Sequence, residues 1–222
     1  MSSRTKKVTT DKIPTTWPGA FGAYQYSKSA VTTNLSTYLS VFVLTFFATI
    51  LLSSIGGMDT HSGSYGLAQV LSMLASVYLS GAMIFVLIKG VDRKKIVFSD
   101  IFAKVTRYFL PLLVVYILMY AILVASLILL IIPFFIVLPR LTLAPYFVVA
   151  ENMDPVEAIK ASWNKTRGHS GKVWGIIGAT IAYTLLMLTI VGIPFSVYFL
   201  FMYGGAYAVL FRWIQKNADT QS

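Results

Sequence analysis

Few residues in this chain of 222 amino acids have the type and setting that chemistry needs, and Arg140 is the most unusual of them. It lies in an apolar stretch, seven residues after Pro133, which is about 10 Å along a helix at 1.5 Å per residue. A charged side chain at that depth in a bilayer costs at least about 2.5–3.5 kcal/mol. We therefore expect Arg140 to face a helix bundle or a water-filled cavity rather than lipid.

Two interpretations of Arg140 stay open. In the first, Pro139 and Pro145 leave backbone carbonyls without donors, and the guanidinium ties a kinked helix together. Its five donors can bind the carbonyls of Phe135 and Leu141. In the second, the broken helix holds an anion or a lipid headgroup, as in transporters. The candidate binding residues are then Arg140, Pro139, Pro145 and Tyr146.

Catalytic chemistry has little support in the sequence. The absence of cysteine excludes thiolate metal sites and thiol nucleophiles. His61 and His169 fall on opposite sides of the membrane in the topology derived below, so they cannot share a metal ion. Asp154 and Glu157 fit a helix cap, and His169 lies near a helix end, where positive charge is favoured. We expect no catalytic residue, no metal, no cofactor and no enzymatic activity.

The composition is that of a membrane protein. The chain is 57% hydrophobic and 12% charged, with a mean hydropathy of +0.74. A soluble domain is roughly 25% charged, so a soluble globular protein, a disordered chain and a collagen-like fibre are excluded. What remains is a polytopic membrane protein.

Six stretches are apolar enough to cross a bilayer, which takes about 20 residues. A polar, Gly-rich break at 56–63 separates the first two. Pro133 and Pro194 are the expected turns in two later stretches of 43 and 39 residues, of which the first contains Arg140 as its one charge. The predicted spans are 35–55, 66–87, 108–132, 133–150, 173–191 and 194–211.

The basic residues predict the orientation. All but Arg140, or 17 of the 18, flank the spans on one side, which should be the cytoplasm. We therefore expect a multi-pass protein of the cell membrane with both termini in the cytoplasm and no cleaved signal peptide. Residues 1–16 and 216–222 are predicted to be disordered tails around one membrane domain at 17–215.

The same charges should attract anionic lipid headgroups, so the net charge of +10 needs no nucleic acid to explain it. Another membrane protein or a second copy of the chain stays an alternative partner. The basic residues expected to face lipid on the cytoplasmic side are Lys94, Lys95, Lys104, Arg107, Lys160, Lys165, Arg167 and Lys172.

A threefold pattern predicts an all-α fold of three helical hairpins, each preceded by a cytoplasmic amphipathic helix. The later hairpins repeat at an offset of 61 residues, which aligns Pro133 with Pro194 and Tyr146 with Tyr207. The alternative is that proline turns recur independently in short hairpins. The expected apolar faces of the amphipathic helices are Trp17, Phe21, Tyr24 and Val31; Phe98, Ile101, Phe102, Val105 and Phe109; and Val156, Ile159 and Trp163.

Three motifs carry a family resemblance. They are Ile-Ile-Pro-Phe-Phe-Ile-Val-Leu-Pro-Arg-Leu-Thr-Leu-Ala-Pro-Tyr at 131–146, Glu-Ala-Ile-Lys-Ala-Ser-Trp at 157–163 and Thr-Arg-Gly-His at 166–169. The chain resembles the bacterial glycerophosphodiester phosphodiesterase membrane-domain group and related uncharacterised multi-pass families, over about 108–212 and more loosely over 17–107. The resemblance implies the membrane part alone. The phosphodiesterase activity of that group belongs to a separate soluble domain, whose acidic and histidine metal ligands this chain lacks.

Three functions follow as hypotheses. The leading one is a non-enzymatic membrane module that binds lipid or a partner membrane protein. The second is a small transporter or channel for an anionic or amphiphilic solute, centred on Arg140. A membrane enzyme that acts on lipids ranks last.

Overall fold

The computed structural model describes residues 16–56, 63–129, 131–186, 189 and 192–218, and these residues confirm the all-α prediction. The described ranges contain ten helices and no strand. The predicted tail at 1–16 lies outside them except for Thr16, and α10 continues two residues past Lys216, into the predicted second tail. The helices are α1 (Gly19–Thr33), α2 (Leu35–Gly56), α3 (Gly63–Val91), α4 (Phe98–Leu129), α5 (Ile131–Leu141), α6 (Ala144–Glu151), α7 (Pro155–Lys165), α8 (Ser170–Leu186), α9 (Gly192–Tyr203) and α10 (Ala206–Ala218).

Four helical stretches of the described chain are long and apolar enough to cross a membrane. They lie where spans are predicted at 66–87, 108–132, 133–150 and 194–211. A fifth candidate requires two helices, α1 and the first part of α2, which meet at an angle of 94°. The four stretches are Gly66–Val91, Phe98–Ile128, Ile132–Glu151 and Pro194–Asn217.

The prediction of six spans is not confirmed. The described helix α8 has 17 residues, or about 25 Å, whereas a hydrocarbon core is about 30 Å thick. The predicted fifth span continues to residue 191, and residues 187, 188, 190 and 191 lie outside the described chain. On α2, large apolar side chains such as Phe47 and Leu51, each 62% exposed, face outward as in a lipid-facing helix.

Two pairs of consecutive helices, α5 with α6 and α9 with α10, are each separated by a break of two residues. Residues 142–143 separate α5 from α6, and residues 204–205 separate α9 from α10. Pro133 and Pro194 are each the third residue of the first half, where the missing N–H costs no helical hydrogen bond. α5 therefore begins two residues before Pro133, whereas the sequence predicted that a span begins at Pro133. The starts of α5 and α9 differ by 61 residues and the breaks by 62, so the breaks follow the predicted offset to within one residue.

The helix α1 buries mainly small residues, and of the expected apolar face Val31 alone is fully buried. It packs against α3, α8, α9 and α10, and its buried side chains are Ala23, Ser27, Ala30 and Val31. Phe21, by contrast, is 77% exposed. The expected face was therefore wrong at Phe21, because helices in lipid approach one another through small residues and leave large apolar ones to the lipid.

The helix α7 shows the same inversion. It begins at Pro155 as predicted, although in the described chain the Asp154 side chain makes no capping hydrogen bond. Ala158, Ser162 and Thr166 are fully buried, whereas Trp163, on the expected apolar face, is 37% exposed. Here too the small residues form the packing face.

The position of α7 bears on the predicted topology. It packs against α4, α5 and α6, and Lys160 and Trp163 line a small cavity together with Ile122 of α4. Ile122 follows Lys104 by 18 residues, or about 27 Å along α4. The basic residues around Lys104 and those around Lys160 therefore lie at the same membrane face only if α4 is strongly tilted.

The second amphipathic segment is not a separate helix. It forms the first turns of α4, which continues without a break through Pro111. Ile101 and Val105 are fully buried against the bundle, as expected. The interior of the bundle is formed mainly by the second half of α3, by α6 and by α10.

Candidate functional site

The backbone at Arg140 is held by the helix that follows it in the chain. Its carbonyl oxygen accepts a hydrogen bond of 2.6 Å from the Ser162 hydroxyl, and the Thr166 hydroxyl lies 3.5 Å from the same oxygen. Ser162 lies on the buried small-residue face of α7, and Thr166 is the buried residue that caps the C-terminus of this helix. The break between α5 and α6 thus presents a carbonyl that α7 satisfies.

The guanidinium of Arg140 also contacts α7. One terminal nitrogen lies 3.5 Å from the carbonyl oxygen of Trp163, and the central carbon lies 5.0 Å from the centre of the Trp163 ring. The buried Nε has no hydrogen-bond partner among the described residues. Arg140 therefore ties α5 to α7, which differs from the expected contact with the carbonyls of Phe135 and Leu141.

The four candidate binding residues do not form one cluster. Pro139 is buried on α5 beside Arg140, whereas Pro145 and Tyr146 on α6 line the wall of a cavity. Arg140 is not among the residues that line this cavity. A site that combines all four side chains therefore stays a prediction without support from their positions.

The loop between α3 and α4 carries a basic cluster, which we define as Lys89, Lys94, Lys95 and Lys104. Lys94 and Lys95 are exposed on the loop. Lys89 and Lys104 lie on either side of it, each with its ammonium 5.6 Å from the ring centre of Phe85. The fold therefore brings Lys89, Lys94 and Lys104 close enough together for their like charges to interact.

Asn34 clamps the backbone of this loop. Its amide nitrogen donates to the carbonyl of Lys94 at 2.8 Å, and its amide oxygen accepts from the N–H of Ile96 at 3.0 Å. The Thr37 hydroxyl donates to the Ile96 carbonyl at 3.2 Å. The basic cluster is thus presented on an ordered backbone.

The nearest acidic groups are already engaged. Arg212 pairs with Asp92 at 2.5 Å and donates to Gln215 at 2.7 Å. Gln215 donates in turn to Glu151, which lies 4.0 Å from Lys165. This chain of contacts joins the ends of α3, α10, α6 and α7. Asp92 is shared, because its charge also acts on Lys89, and the exposed Asp100 lies four residues before Lys104 on α4. The cluster nevertheless holds four lysines against these two carboxylates.

The other basic residues that we expect to face lipid divide into two kinds. Arg107, Lys160 and Arg167 are exposed. Lys165 and Lys172 are half-buried, and their ammonium groups lie 5.2 Å from the Phe147 ring centre and 4.2 Å from the Trp213 ring centre. Lys165 and Lys172 therefore contribute to the packing of the bundle through these ring contacts.

His169 lies at the start of α8, not at the end of a helix. Its carbonyl accepts the N–H groups of Lys172 and Val173, and its ring lies 3.1 Å from the Lys172 ammonium. Burial, together with the charge of Lys172, lowers the pKa of His169 below its usual 6.5. The expectation of a favoured positive charge is therefore wrong, because this end of a helix and the adjacent lysine both disfavour one.

The bundle has an open cavity of about 520 Å³ that sequence reasoning missed. Its walls come from α2, α3, α4, α6, α10 and the two helix breaks, so its residues are scattered along the chain. The one sequence signal is the repeat that pairs Tyr146 with Tyr207, since both line it. The lining residues are Thr45, Ser76, Leu79, Ser80, Met83, Ile84, Leu87, Tyr116, Met119, Thr142, Pro145, Tyr146, Gly204 and Tyr207.

Metal-binding groups do not assemble in the described part of the chain. Within those ranges, no three side chains of His, Asp or Glu come close enough to hold one ion. His61 lies outside the described residues.

The comparisons with known proteins give no family. No protein-family model, curated protein or solved structure matches the chain. The resemblance to the glycerophosphodiester phosphodiesterase membrane-domain group therefore stays a prediction from the motifs at 131–169.

Proposed function

We propose that the chain is a non-enzymatic membrane module whose basic cluster binds anionic lipid headgroups. The observation that carries this proposal is the clamp that Asn34 places on the loop of Lys94 and Lys95. A clamped loop has already lost the conformational freedom that binding would otherwise remove. Each ammonium near an anionic leaflet contributes about 1 kcal/mol of attraction.

The proposed setting is the cytoplasmic leaflet of the cell membrane, with six spans and both termini inside. Its support is the sequence pattern of positive flanks, together with the engagement of Asp92 and Glu151 by other cations. Binding of a partner membrane protein, or of a second copy of the chain, is the nearest alternative. Transport through Arg140 ranks below it, because the contacts of Arg140 with Trp163 are those of a tie between helices.

The test uses the full chain in nanodiscs of phosphatidylcholine with a minor fraction of phosphatidylglycerol. Native mass spectrometry measures which lipid stays bound after release from the disc. We expect phosphatidylglycerol to be enriched, and we expect added salt to weaken the enrichment. Replacement of Lys94, Lys95 and Lys104 by Gln should reduce it about tenfold or more.

Two controls separate the cluster from general charge. Gln at Lys28, Lys160 and Arg167, all exposed, removes the same charge elsewhere and should have a smaller effect. Asn34→Ala keeps every charge but frees the loop, so it should weaken the enrichment in part. Equal losses in the two triple variants would contradict a specific site at the basic cluster.

A further inference from the structure

The cavity inside the bundle has its own chemistry, distinct from that of the basic cluster. Its volume of about 520 Å³ is within the range of small-molecule sites, which run from about 300 to 1,000 Å³. None of the residues that line it is charged, and half of them carry a hydroxyl group. An anionic head would be buried there without a countercharge, at a high desolvation cost. Most of the surface that these residues present to the cavity is apolar, so the lining favours an uncharged, mostly apolar ligand with a small hydrogen-bonding head.

The serine and threonine hydroxyls offer acceptors. Ser76 and Ser80 donate to backbone carbonyls of α3 at 2.8 Å, and Thr142 donates to the carbonyl of Leu138 at 2.7 Å. A hydroxyl has one proton and two lone pairs, so each of these oxygens can still accept a hydrogen bond. A ligand that binds these hydroxyl oxygens therefore needs a hydrogen-bond donor.

Tyr146 supplies a phenol that is not yet used. The side chain is only 8% exposed, and its hydroxyl has no hydrogen-bond partner among the described residues. A phenol both donates and accepts, so an alcohol meets its needs and those of the neighbouring hydroxyls at once.

A second cavity of about 270 Å³ adjoins the first and shares Ser76, Ser80 and Tyr116 with it. Its outer wall includes Met73 and Tyr120, which are 46% and 60% exposed on the surface between α3 and α4. Both helices contain candidate membrane spans. The opening therefore lies on a surface that meets lipid, so a molecule can enter sideways from the bilayer.

We propose that these two cavities bind an uncharged lipid alcohol, such as a diacylglycerol. Its hydroxyl head lies beside Tyr146 and its acyl chain leaves between α3 and α4, past Met73 and Tyr120. This site uses no residue of the basic cluster. Binding of a lipid alcohol at this site can therefore be tested independently of anionic-lipid binding at the basic cluster.

The test labels the full chain in phosphatidylcholine nanodiscs with a diacylglycerol that carries a photoreactive diazirine in one acyl chain. Mass spectrometry then locates the labelled residues. We expect labels on α3 and α4, near the second cavity. An excess of dioctanoylglycerol should remove most of the label, whereas dioctanoyl phosphatidic acid, with the same chains and a charged head, should compete at least tenfold less well.

Two variants tie the label to the cavity. Ser80→Leu fills the space shared by the two cavities and should remove most of the specific label. Tyr146→Phe keeps the volume and removes only the hydroxyl, so it should weaken dioctanoylglycerol competition about 3- to 10-fold. Tyr108→Phe is the matched control, since Tyr108 packs on the core but lines neither cavity.

The two variants also cover the case in which one of them does not fold. If Ser80→Leu fails to fold, Tyr146→Phe still decides the question, because it changes no packing volume. Equal competition by phosphatidic acid, or labelling and competition unchanged in a folded Tyr146→Phe variant, would overturn the proposal.

Discussion

Tyr146 and Tyr207 line the same cavity although 61 residues separate them in the chain. Each lies in the first turn after a helix break, Tyr146 in α6 and Tyr207 in α10. Pro133 and Pro194 open the preceding half-helices at the same offset. Two positions related by the predicted 61-residue offset thus line one cavity, as the repeat hypothesis would place them.

Gly90 tests how closely α1 must approach α3. A Cβ at this position would overlap the backbone carbonyl of Ala30, which cannot swing away as a side chain could. We expect Gly90→Ala to lower the free energy of unfolding by about 1–3 kcal/mol. Titration of the purified protein with a denaturing detergent measures it.

Gly178 provides the matched control for that substitution. It is helical, and a Cβ there would meet nothing within 4 Å. Gly178→Ala should therefore stabilise the protein by up to about 1 kcal/mol, because alanine restricts the unfolded chain. A Gly90→Ala variant that is as stable as Gly178→Ala would show that α1 does not pack as described.

The ion pair of Asp92 and Arg212 joins α10 to the start of the basic loop. Both side chains are about four-fifths buried, and the two atoms lie 2.5 Å apart. Asp92→Asn should cost about 1.5–3 kcal/mol of unfolding free energy, since a charged hydrogen bond is lost. The exchanged pair, Asp92→Arg with Arg212→Asp, should recover part of the loss. Thermal unfolding of both variants measures this, and Asp100→Asn, at an exposed acid, is the control.

The membrane spans were predictable because each is a long apolar run, and four runs became candidate spans. The packing faces of α1 and α7 were not. In a soluble protein, a stripe of large apolar residues, such as those that contain Phe21 or Trp163, marks the helix face that packs on the core. In lipid, large apolar side chains gain little by contacting one another. The small residues between them, such as Ser27 and Ser162, form the contacts instead.

The candidate sites were less predictable than the spans. Trp163 follows Arg140 by 23 residues and contacts it only because α7 folds back on α5. The cavity draws single hydroxyls from many helices, so no local spacing identifies it. The offset that relates Tyr146 to Tyr207 is visible in the sequence. That both residues line one cavity depends on how the helices pack, which the sequence does not show.

The contact between Arg140 and Trp163 should appear as a coupling energy. Arg140→Gln and Trp163→Leu should each destabilise the protein, and the double variant should lose less than the sum by about 0.5–2 kcal/mol. Trp174→Leu is the control, because Trp174 contacts Phe135 instead, and its effect should add to that of Arg140→Gln. A coupling energy near zero would contradict the contact between Arg140 and Trp163 and would favour the hypothesis that Arg140 acts in transport.

His169 should make stability depend on pH. Because burial and Lys172 lower its pKa in the folded state, the unfolded chain binds more protons just below pH 6.5. The contribution is complete above about pH 6.5 and is lost as the pH falls toward the lower folded pKa. The melting temperature should therefore drop from pH 7.5 to 5.5, and His169→Gln should reduce that drop. A drop that is unchanged in His169→Gln would assign the effect to other groups.

The predicted topology can be tested with single cysteines, because the chain has none of its own. In inverted and right-side-out vesicles, a membrane-impermeant maleimide should reach Lys94→Cys, Lys160→Cys and Lys216→Cys from the cytoplasmic side, and Ser64→Cys from the other side. Lys160 decides most, because α7 packs beside Ile122, about 27 Å along α4 from Lys104. If Lys160→Cys reacts together with Lys94→Cys, α4 must be strongly tilted to bring both to one face. If it reacts only from the opposite side, the assignment of six spans with a single basic face is wrong.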